Sequence, residues 1–594
     1  MFNRLLKLAV STARDVGGLL LNEFTSGPVG KGRVAPIDTA IERLICDKLL
    51  SKTPHFGFLG EETGAVAGDG IHTWVVDPQD GTSYYLRGAR GPAVSIALLR
   101  HRIPVLGVVF AYAAPDHNGD LIAWAEGRPI TRNNRVVRQP ALTPYLENDH
   151  IVLTSPAANI APQAAADVVS PARYVVLPSI AYRLALVAVG DANATLSVAP
   201  LNSWDIAAGH ALLRAVGATL LDQNGEEVTY DVDGRRKLTA CFGGSETTAA
   251  ALSTRRIQGR TLREKSAPYV ELRPGITITD SGVLSRAQGC MMGHLCADAI
   301  LADKATPEPH HVQGNPAQPL PGQLRVHSEL GLTLARVLVD YENYHRPRVR
   351  EMYKGWLRSS PIRRPESLVG ALTRQHVVSP PNHPTQRRYS DPILRCAPLG
   401  VFGALLASEH IQQLAQLDAS LTNTLSEVQD VSAAFVATLA FVIRTGEQPG
   451  TILEFAQDQL NDKRLGMQPS RGGHDQTAAY HAFNEALHQL RNTSSLRDAS
   501  MQAHENRKKT GAEPIVTATL FGATYGRDAV PKTWQRLVLS CRPQRGATYP
   551  RPARYWAVDT LALTERLLLA GKNARLTVTD AEAKDAINRI AENE

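Results

Sequence analysis

Three apolar residues, Trp74, Val75 and Val76, run without interruption into Asp77-Pro78-Gln79-Asp80-Gly81-Thr82-Ser83. Such a run reads as a buried strand, and Pro78 and Gly81 are breakers that turn the chain at its end. The turn leaves the carboxylates of Asp77 and Asp80 and the hydroxyl of Thr82 at one strand terminus. Carboxylate and carbonyl oxygens suit hard divalent cations, and this turn can aim the backbone carbonyl of Gln79 at the same ion. An Asx-type turn uses the same residue types with no ion, because Asp, Pro and Gly are the commonest turn formers. Alone, the stretch leaves both readings open.

Two further acid-bearing segments flank it. Phe58-Leu59-Gly60-Glu61-Glu62 is an apolar strand ending in two acids, and Ser203-Trp204-Asp205-Ile206-Ala207-Ala208-Gly209 places an acid at the opening of a helix. Together the three segments resemble the inositol monophosphatase family, whose pattern is Gly-Glu-Glu, then Trp-x-x-Asp-Pro-x-Asp-Gly-Thr, then Trp-Asp-x-Ala-Ala-Gly. Ala93 to Leu98, Gly107 to Phe110 and Ser179 to Leu184 fall where that family places similar strands and helices. The resemblance covers roughly residues 1 to 255, the length of one domain. It implies an α/β layered sandwich of the sugar-phosphatase type.

The chemistry explains why these residues matter. A phosphate monoester is a multiply charged anion, so attack by water needs charge neutralised, a nucleophile activated and a leaving alkoxide stabilised. By the resemblance, Glu61, Asp77 and the Gln79 carbonyl hold one Mg²⁺, and Asp77, Asp80 and Asp205 hold a second. Asp38 and Thr82 orient or deprotonate the attacking water, with Glu61 counted among the catalytic groups. The backbone amides of Gly81 and Thr82, at a turn entering a helix, bind phosphate oxygens. Bland roles stay open for two acids: Glu62 as a supporting or surface group, and Asp205 as a simple helix cap.

The lip of the site departs from the family. Its Asp-x-Val-Thr-x-x-Asp pattern retains only the last acid, as Asp38, with Gly32 and Ala35 in place of the first acid and the threonine. Seven residues before Asp205, where inositol-specific members carry an acid facing the sugar hydroxyls, stands Val198. These changes bear on substrate more than on metal.

At 594 residues the chain should hold more than one domain, and 43% hydrophobic with 20% charged residues is ordinary for a globular protein. Six cysteines are scattered without a Cys-x-x-Cys pair, which favours free thiols and a cytoplasmic setting. Cys290, His294 and Cys296 lie in a helical run where core packing outweighs metal binding. The net charge of +7 is modest, and the arginines fall in short groups such as Arg363-Arg364, Arg387-Arg388 and Arg507-Lys508-Lys509, so no nucleic-acid face is expected. Leu5, Leu8, Val16, Leu19 and Leu20 fit an amphipathic helix over residues 2 to 24 rather than a signal peptide. No apolar run is expected to reach transmembrane length, and no membrane partner is expected.

Beyond Cys241-Phe242-Gly243-Gly244 the pattern fades into a charged, breaker-containing stretch. The expected organisation is a phosphatase domain over 1–255, a linker over 256–280 and an all-α domain over 281–594. Arg286-Ala287-Gln288-Gly289-Cys290-Met291-Met292-Gly293, Leu394-Arg395-Cys396-Ala397-Pro398-Leu399-Gly400, the helix of Asp430 to Gly446, Gly522-Ala523-Thr524-Tyr525-Gly526 and Val530-Pro531-Lys532-Thr533-Trp534 resemble successive segments of the ADP-ribosylglycohydrolase family. Active members bind two Mg²⁺ through Thr-Asp-Asp-Thr and Asp-x-Asp-Thr motifs. Here those positions read His327-Ser328-Glu329-Leu330 and Lys509-Thr510-Gly511-Ala512, leaving only Glu329 able to bind a cation. Gly472-Gly473-His474-Asp475-Gln476-Thr477 echoes the late motif but comes too early. The Pro-rich insert Asp303 to Gln323, with His310-His311, reads as a surface excursion.

The expectation is therefore a Mg²⁺-dependent, lithium-sensitive phosphomonoesterase of a small phosphorylated metabolite (sugar, inositol or adenine nucleotide phosphate), fused to a domain with a degenerate metal site. A groove shaped for ADP-ribose makes 3′-phosphoadenosine 5′-phosphate, NADP and phosphorylated ADP-ribose natural candidates. The rival is an ADP-ribose-binding regulatory protein, and a third reading has Glu329 cleaving ADP-ribosyl bonds without metal. Homodimerisation is a family expectation.

Overall fold

Leu5, Ala9, Ala13, Val16, Leu20 and Phe24 recur at helical spacing, and α1 (Phe2–Ser26) buries all six. Leu19, expected on the same face, is instead 46% exposed. Small residues fill the stripe, and at Gly17 an added Cβ would lie 2.4 Å from the Phe110 ring. The next helix, α2 (Pro36–Leu50), starts four residues before the expected Ala40, because a proline at its first position is already set for helix. Asp38 therefore sits inside the first turn of α2. The computed structural model describes residues 1–30, 35–255, 270, 272–301, 318–373, 391–406, 408–469, 476–506 and 511–574. Gly32, most of the expected linker, His310-His311, Arg387-Arg388, Gly472 to Asp475, Arg507-Lys508-Lys509 and Thr510 lie outside the described residues.

The chain divides into two compact units, Met1–Leu284 with Leu539–Gln544, and Ser285–Val538 with the chain from Arg545 onward. In the first unit, the described residues give an eight-stranded sheet ordered β2-β1-β3-β4-β5-β6-β7-β8. Its strands are β1 (Gly57–Gly60), β2 (Gly64–Val66), β3 (His72–Asp80), β4 (Ala93–Arg100), β5 (Ile103–Ala111), β6 (Asp120–Ala125), β7 (Thr131–Arg132) and β8 (Arg135–Val136), with the single-turn helix α3 (Thr82–Tyr85) between β3 and β4. A second sheet runs β10-β9-β11-β15-β13, built from β9 (Ile151–Thr154), β10 (Arg173–Val176), β11 (Ala194–Ser197), β13 (Thr219–Asp222) and β15 (Cys241–Gly244). The short strands β12 (Leu201–Asn202) and β14 (Lys237–Leu238) pair separately.

Layering follows from strand alternation. Trp74 and Val76 of β3 join one core with Ile41, Ile45 and the α1 stripe. Val75 points the other way, into a core with Leu184 and Val187 of α5 (Ile180–Ala188) and Ile206 and Leu212 of α6 (Ser203–Ala215). A strand buried on both faces needs an unbroken apolar run, which is what Trp74-Val75-Val76 supplies. Beyond the second sheet, α4 (Pro162–Val169) and α7 (Glu246–Ser253) add Val168 and Leu252 to a third core with Val152, Leu196 and Phe242. The unit is thus an α/β sandwich of alternating helix and sheet layers.

The second unit is helical throughout its described residues. It holds most of α8 (Ser281–Leu301), from Ser285 on, continues with α9 (Val326–Tyr341) and α10 (Arg346–Arg358), and includes the long helix Ser426–Thr445, ended by Gly446 in the left-handed region at φ 69°. That long helix corrects one expectation: it is long and apolar enough to cross a membrane, yet 72% of its most apolar stretch is buried inside the protein, as befits a core helix. Close helix contact explains the small residues. A Cβ at Gly293 would lie 2.2 Å from the carbonyl oxygen of Ala518, on the helix Glu513–Tyr525. The six cysteines are free, and Cys290, Cys296 and His294 are all buried in packing.

Candidate active site

The expected turn at Pro78 is a bulge rather than a reversal. β3 pairs with β4 as Asp77↔Ser95 and again as Asp80↔Ala93, so three residues advance on β3 against two on β4. Residues three apart on a regular strand face opposite sides of the sheet; the extra residue re-aims one of them, so Asp77 and Asp80 serve one site. The chain then leaves the strand at Gly81, whose φ of +99° favours glycine, and Thr82 opens α3.

Asp205 completes the cluster from the opposite layer. It is the third residue of α6, two positions deeper than an acid at the helix threshold, and its Oδ2 accepts from the Asn202 amide at 2.5 Å. The cap role and the site role are therefore filled by one side chain. Asp77, Asp80 and Asp205 each place an oxygen within 4.8 Å of the others. Burial, then Glu61, Asp80 and Asp205, push the Asp77 carboxyl well above the usual range. Asp205 is raised well above it by burial and then Asp80. Glu61, at the β1–β2 turn, is pushed up to about 7 by desolvation and the charges of Glu62 and Asp80. Acids that resist ionisation because of burial and then of each other are the donor set that a hard cation relieves, so these residues fit divalent metal.

Asp80 is the best supported of the acids. Its Oδ2 accepts from Ser179 Oγ at 2.6 Å and from the Ala181 amide at 2.7 Å, at the start of α5. Burial raises its carboxyl, while these bonds and the charge of Arg183 oppose the rise. Arg183 is itself buried, donates to the Leu196 carbonyl at 2.6 Å, and is lowered to about 10 by desolvation.

Asp38 lies across the site on α2. Its Oδ1 accepts from Gln79 Nε2 at 3.0 Å, and its Oδ2 lies 3.2 Å from Thr82 Oγ1. The same Thr82 hydroxyl is 2.9 Å from the Gln79 carbonyl oxygen, which keeps a second lone pair for another partner. Tyr112 donates to Gln79 Oε1 and so fixes the amide. Burial, then Glu62, push the Asp38 carboxyl up to about 8. Ser179, Arg183, Tyr112 and the side chain of Gln79 were not singled out from the sequence. Nothing local distinguishes them from core residues. Val198, seven residues before Asp205 in the chain, is 45% exposed and offers apolar surface.

In the helical unit the family's early metal motif falls at the first turn of α9. Glu329 is 2% exposed and already occupied: Arg551 Nε and Nη2 each donate to it at 2.7 Å, and Trp356 Nε1 donates at 2.6 Å. Arg551 also donates to Ser359 Oγ at 3.0 Å. The acid read from the sequence as a remaining cation ligand is thus neutralised by a guanidinium from within the chain, and a divalent ion does not fit there. The nearby His294 is buried, and desolvation lowers its imidazole to about 4.

The chain matches two families in succession. The inositol monophosphatase family profile matches residues 3–257, and that of ADP-ribosylglycohydrolase matches residues 279–573. Over 249 residues the chain is 32% identical to an inositol-1-monophosphatase of Mesorhizobium japonicum, covering 39% of this chain and 87% of that protein. It is 29% identical over 251 residues to inositol monophosphatase 1 of Solanum lycopersicum, covering 39% and 88%. It is also 28% identical over 236 residues to the 3′(2′),5′-bisphosphate nucleotidase CysQ of Escherichia coli O157:H7, covering 37% and 90%.

Proposed function

Because the chain belongs to the inositol monophosphatase family, whose members are Mg²⁺-dependent phosphomonoesterases, we propose that it hydrolyses a small phosphorylated metabolite at the Asp77, Asp80 and Asp205 cluster. The observation that carries this reading is the convergence within 4.8 Å of three carboxylates, those of Asp77 and Asp80 buried and that of Asp205 half-buried. Glu61, Asp77 and the Gln79 carbonyl would hold one Mg²⁺, and Asp77, Asp80 and Asp205 a second. Bound there, Mg²⁺ would offset phosphate charge and make water a better nucleophile. Asp38 and Thr82 orient the attacking water, and a carboxyl held near 8 is suited to accept its proton close to neutral pH. Gln79 Nε2 holds the other Asp38 oxygen and so fixes which one faces the reaction. The Gly81 and Thr82 amides would receive phosphate oxygens.

For the leaving group, exposed Val198 stands where an acid would grip sugar hydroxyls. This favours a group with an apolar face, and the likeness to a bisphosphate nucleotidase supports nucleotide phosphates, with adenine nucleotides the first to test. The test is phosphate release by the full chain with Mg²⁺ from sugar, inositol and adenine nucleotide phosphates, beside Asp80→Asn. Selective turnover lost in Asp80→Asn and in excess EDTA, and restored by Mg²⁺, is the expected outcome. No turnover of any compound by folded protein would overturn the reading.

The second unit supports a different role. With Glu329 committed to Arg551, it would bind ADP-ribose or an adenine nucleotide without metal-assisted cleavage. Calorimetric binding of ADP-ribose to the full chain, unchanged by EDTA, is expected. Release of ADP-ribose from a modified protein, lost in Glu329→Gln, would overturn it.

A further inference from the structure

One buried acid near the site has no place in the mechanism above. Glu42 is 0% exposed and lies one helical turn beyond Asp38 on the same face of α2. Both its oxygens are engaged: the Glu62 amide donates at 3.0 Å to Oε2, and the Thr63 amide and Thr63 Oγ1 both donate at 2.6 Å to Oε1. These donors belong to the turn between β1 and β2, where Gly60 pairs with Gly64 and Glu61, Glu62 and Thr63 make the loop. Gly60 is built around the contact, since a Cβ there would lie 2.1 Å from Glu42 Oε1.

We propose that Glu42 is the positioning residue that aims Glu61 at the cation site. The inference rests on the metal-binding reading above. A three-residue loop whose second and third amides point at one carboxylate cannot rotate freely, and Glu61, its first residue, is the one turned toward Asp77 and Asp80. Because β1 runs parallel to β3 with Gly60 beside Val76, the loop emerges next to Asp77. Glu42 is held apart from the metal ligands, since both its oxygens accept from the β1–β2 loop. It acts through the loop, and through α2 it ties the Glu61 loop to Asp38. Groups that orient ligands in this way commonly change metal affinity about 10–100-fold when lost.

The test uses the full-length protein and Mn²⁺, with free ion counted by electron paramagnetic resonance and folding followed by thermal unfolding. Glu42→Gln keeps the volume but turns an amide N–H₂ toward donors; Mn²⁺ binding is expected to weaken about tenfold, with the fold retained. Thr63→Val, at an exposed position, removes one donor and should weaken binding about threefold. Unchanged affinity in folded Glu42→Gln, or in Thr63→Val where Glu42→Gln does not fold, would show a merely structural acid and overturn the proposal. Asp77→Asn separates the two readings. If wild type binds Mn²⁺ and Asp77→Asn does not, the site stands and the variants judge Glu42; if wild type binds none, both fall.

Discussion

Glu329 and Arg551 show how much depends on one pairing. Both are almost completely buried, the bond is bidentate, and the indole of Trp356 takes part of the remaining acceptor capacity. Removing one partner of such a pair leaves a bare charge in a medium that solvates it poorly. Arg551→Ala is expected to cost about 3–5 kcal/mol, read as a lower urea midpoint for the helical unit, whereas the double variant Glu329→Gln with Arg551→Met should recover most of the loss. A full cost in the double variant would mean that packing, not charge, is what Arg551 contributes. Ser179 has a double role of the same kind, capping α5 through the Tyr182 amide at 2.9 Å while donating to Asp80. Ser179→Ala should cost about 1 kcal/mol as a lost cap and also raise the Mg²⁺ concentration needed for half-maximal turnover. A change in stability with no change in metal requirement would confine Ser179 to the helix.

At the scale of elements, two devices place functional groups where regular geometry would not. The bulge in β3 brings Asp77 and Asp80 to one side of the sheet, and the early start of α2 brings Asp38 and Glu42 onto one buried face with Ile41 and Ile45. Glu42 was not singled out from the sequence; two acids on an otherwise apolar helical stripe are the signal that could have found it. In the helical unit the comparable device is absence of side chain. Gly293→Ala sets a methyl against the backbone of Ala518, where no rotamer can relieve it. The expected cost is about 1–3 kcal/mol, measurable as a lower midpoint of thermal unfolding. Gly355, which has open space around it, should tolerate alanine.

Across the whole molecule, each unit holds a histidine buried in its neutral form. Desolvation, then Arg214, lowers His210 to about 3, and desolvation lowers His294 to about 4. A folded-state value below the unfolded 6.5 means that the unfolded chain binds the extra proton. Their contribution is therefore complete above pH 6.5 and lost as pH falls toward 4. Shifts of this size are worth on the order of 3 kcal/mol per histidine. Urea midpoints measured at fixed salt should drop between pH 7.5 and pH 5, and replacing His294 with Leu should flatten part of that slope. A slope unaffected by the substitution would place the acid sensitivity elsewhere.

The acid-bearing segments, and the α/β sandwich followed by a helical unit, were legible in the sequence through the family resemblances it carries. The strand and the helical unit rest on local rules, an apolar run bounded by breakers and helical periodicity from Ser285 onward, while the set of site acids and the sandwich rest on the resemblance to the inositol monophosphatase family. What the tertiary structure decided were the partners. That Asp77 and Asp80 share a face depends on one extra residue opposite β4, and that Asp205 joins them depends on α6 lying beneath the sheet. Likewise, a chain separation of 222 residues between Glu329 and Arg551 left the fate of that acid unreadable. A side chain's chemical type is written in the sequence; whether its charge meets a cation, a guanidinium or a row of amides is fixed by which distant elements pack against it.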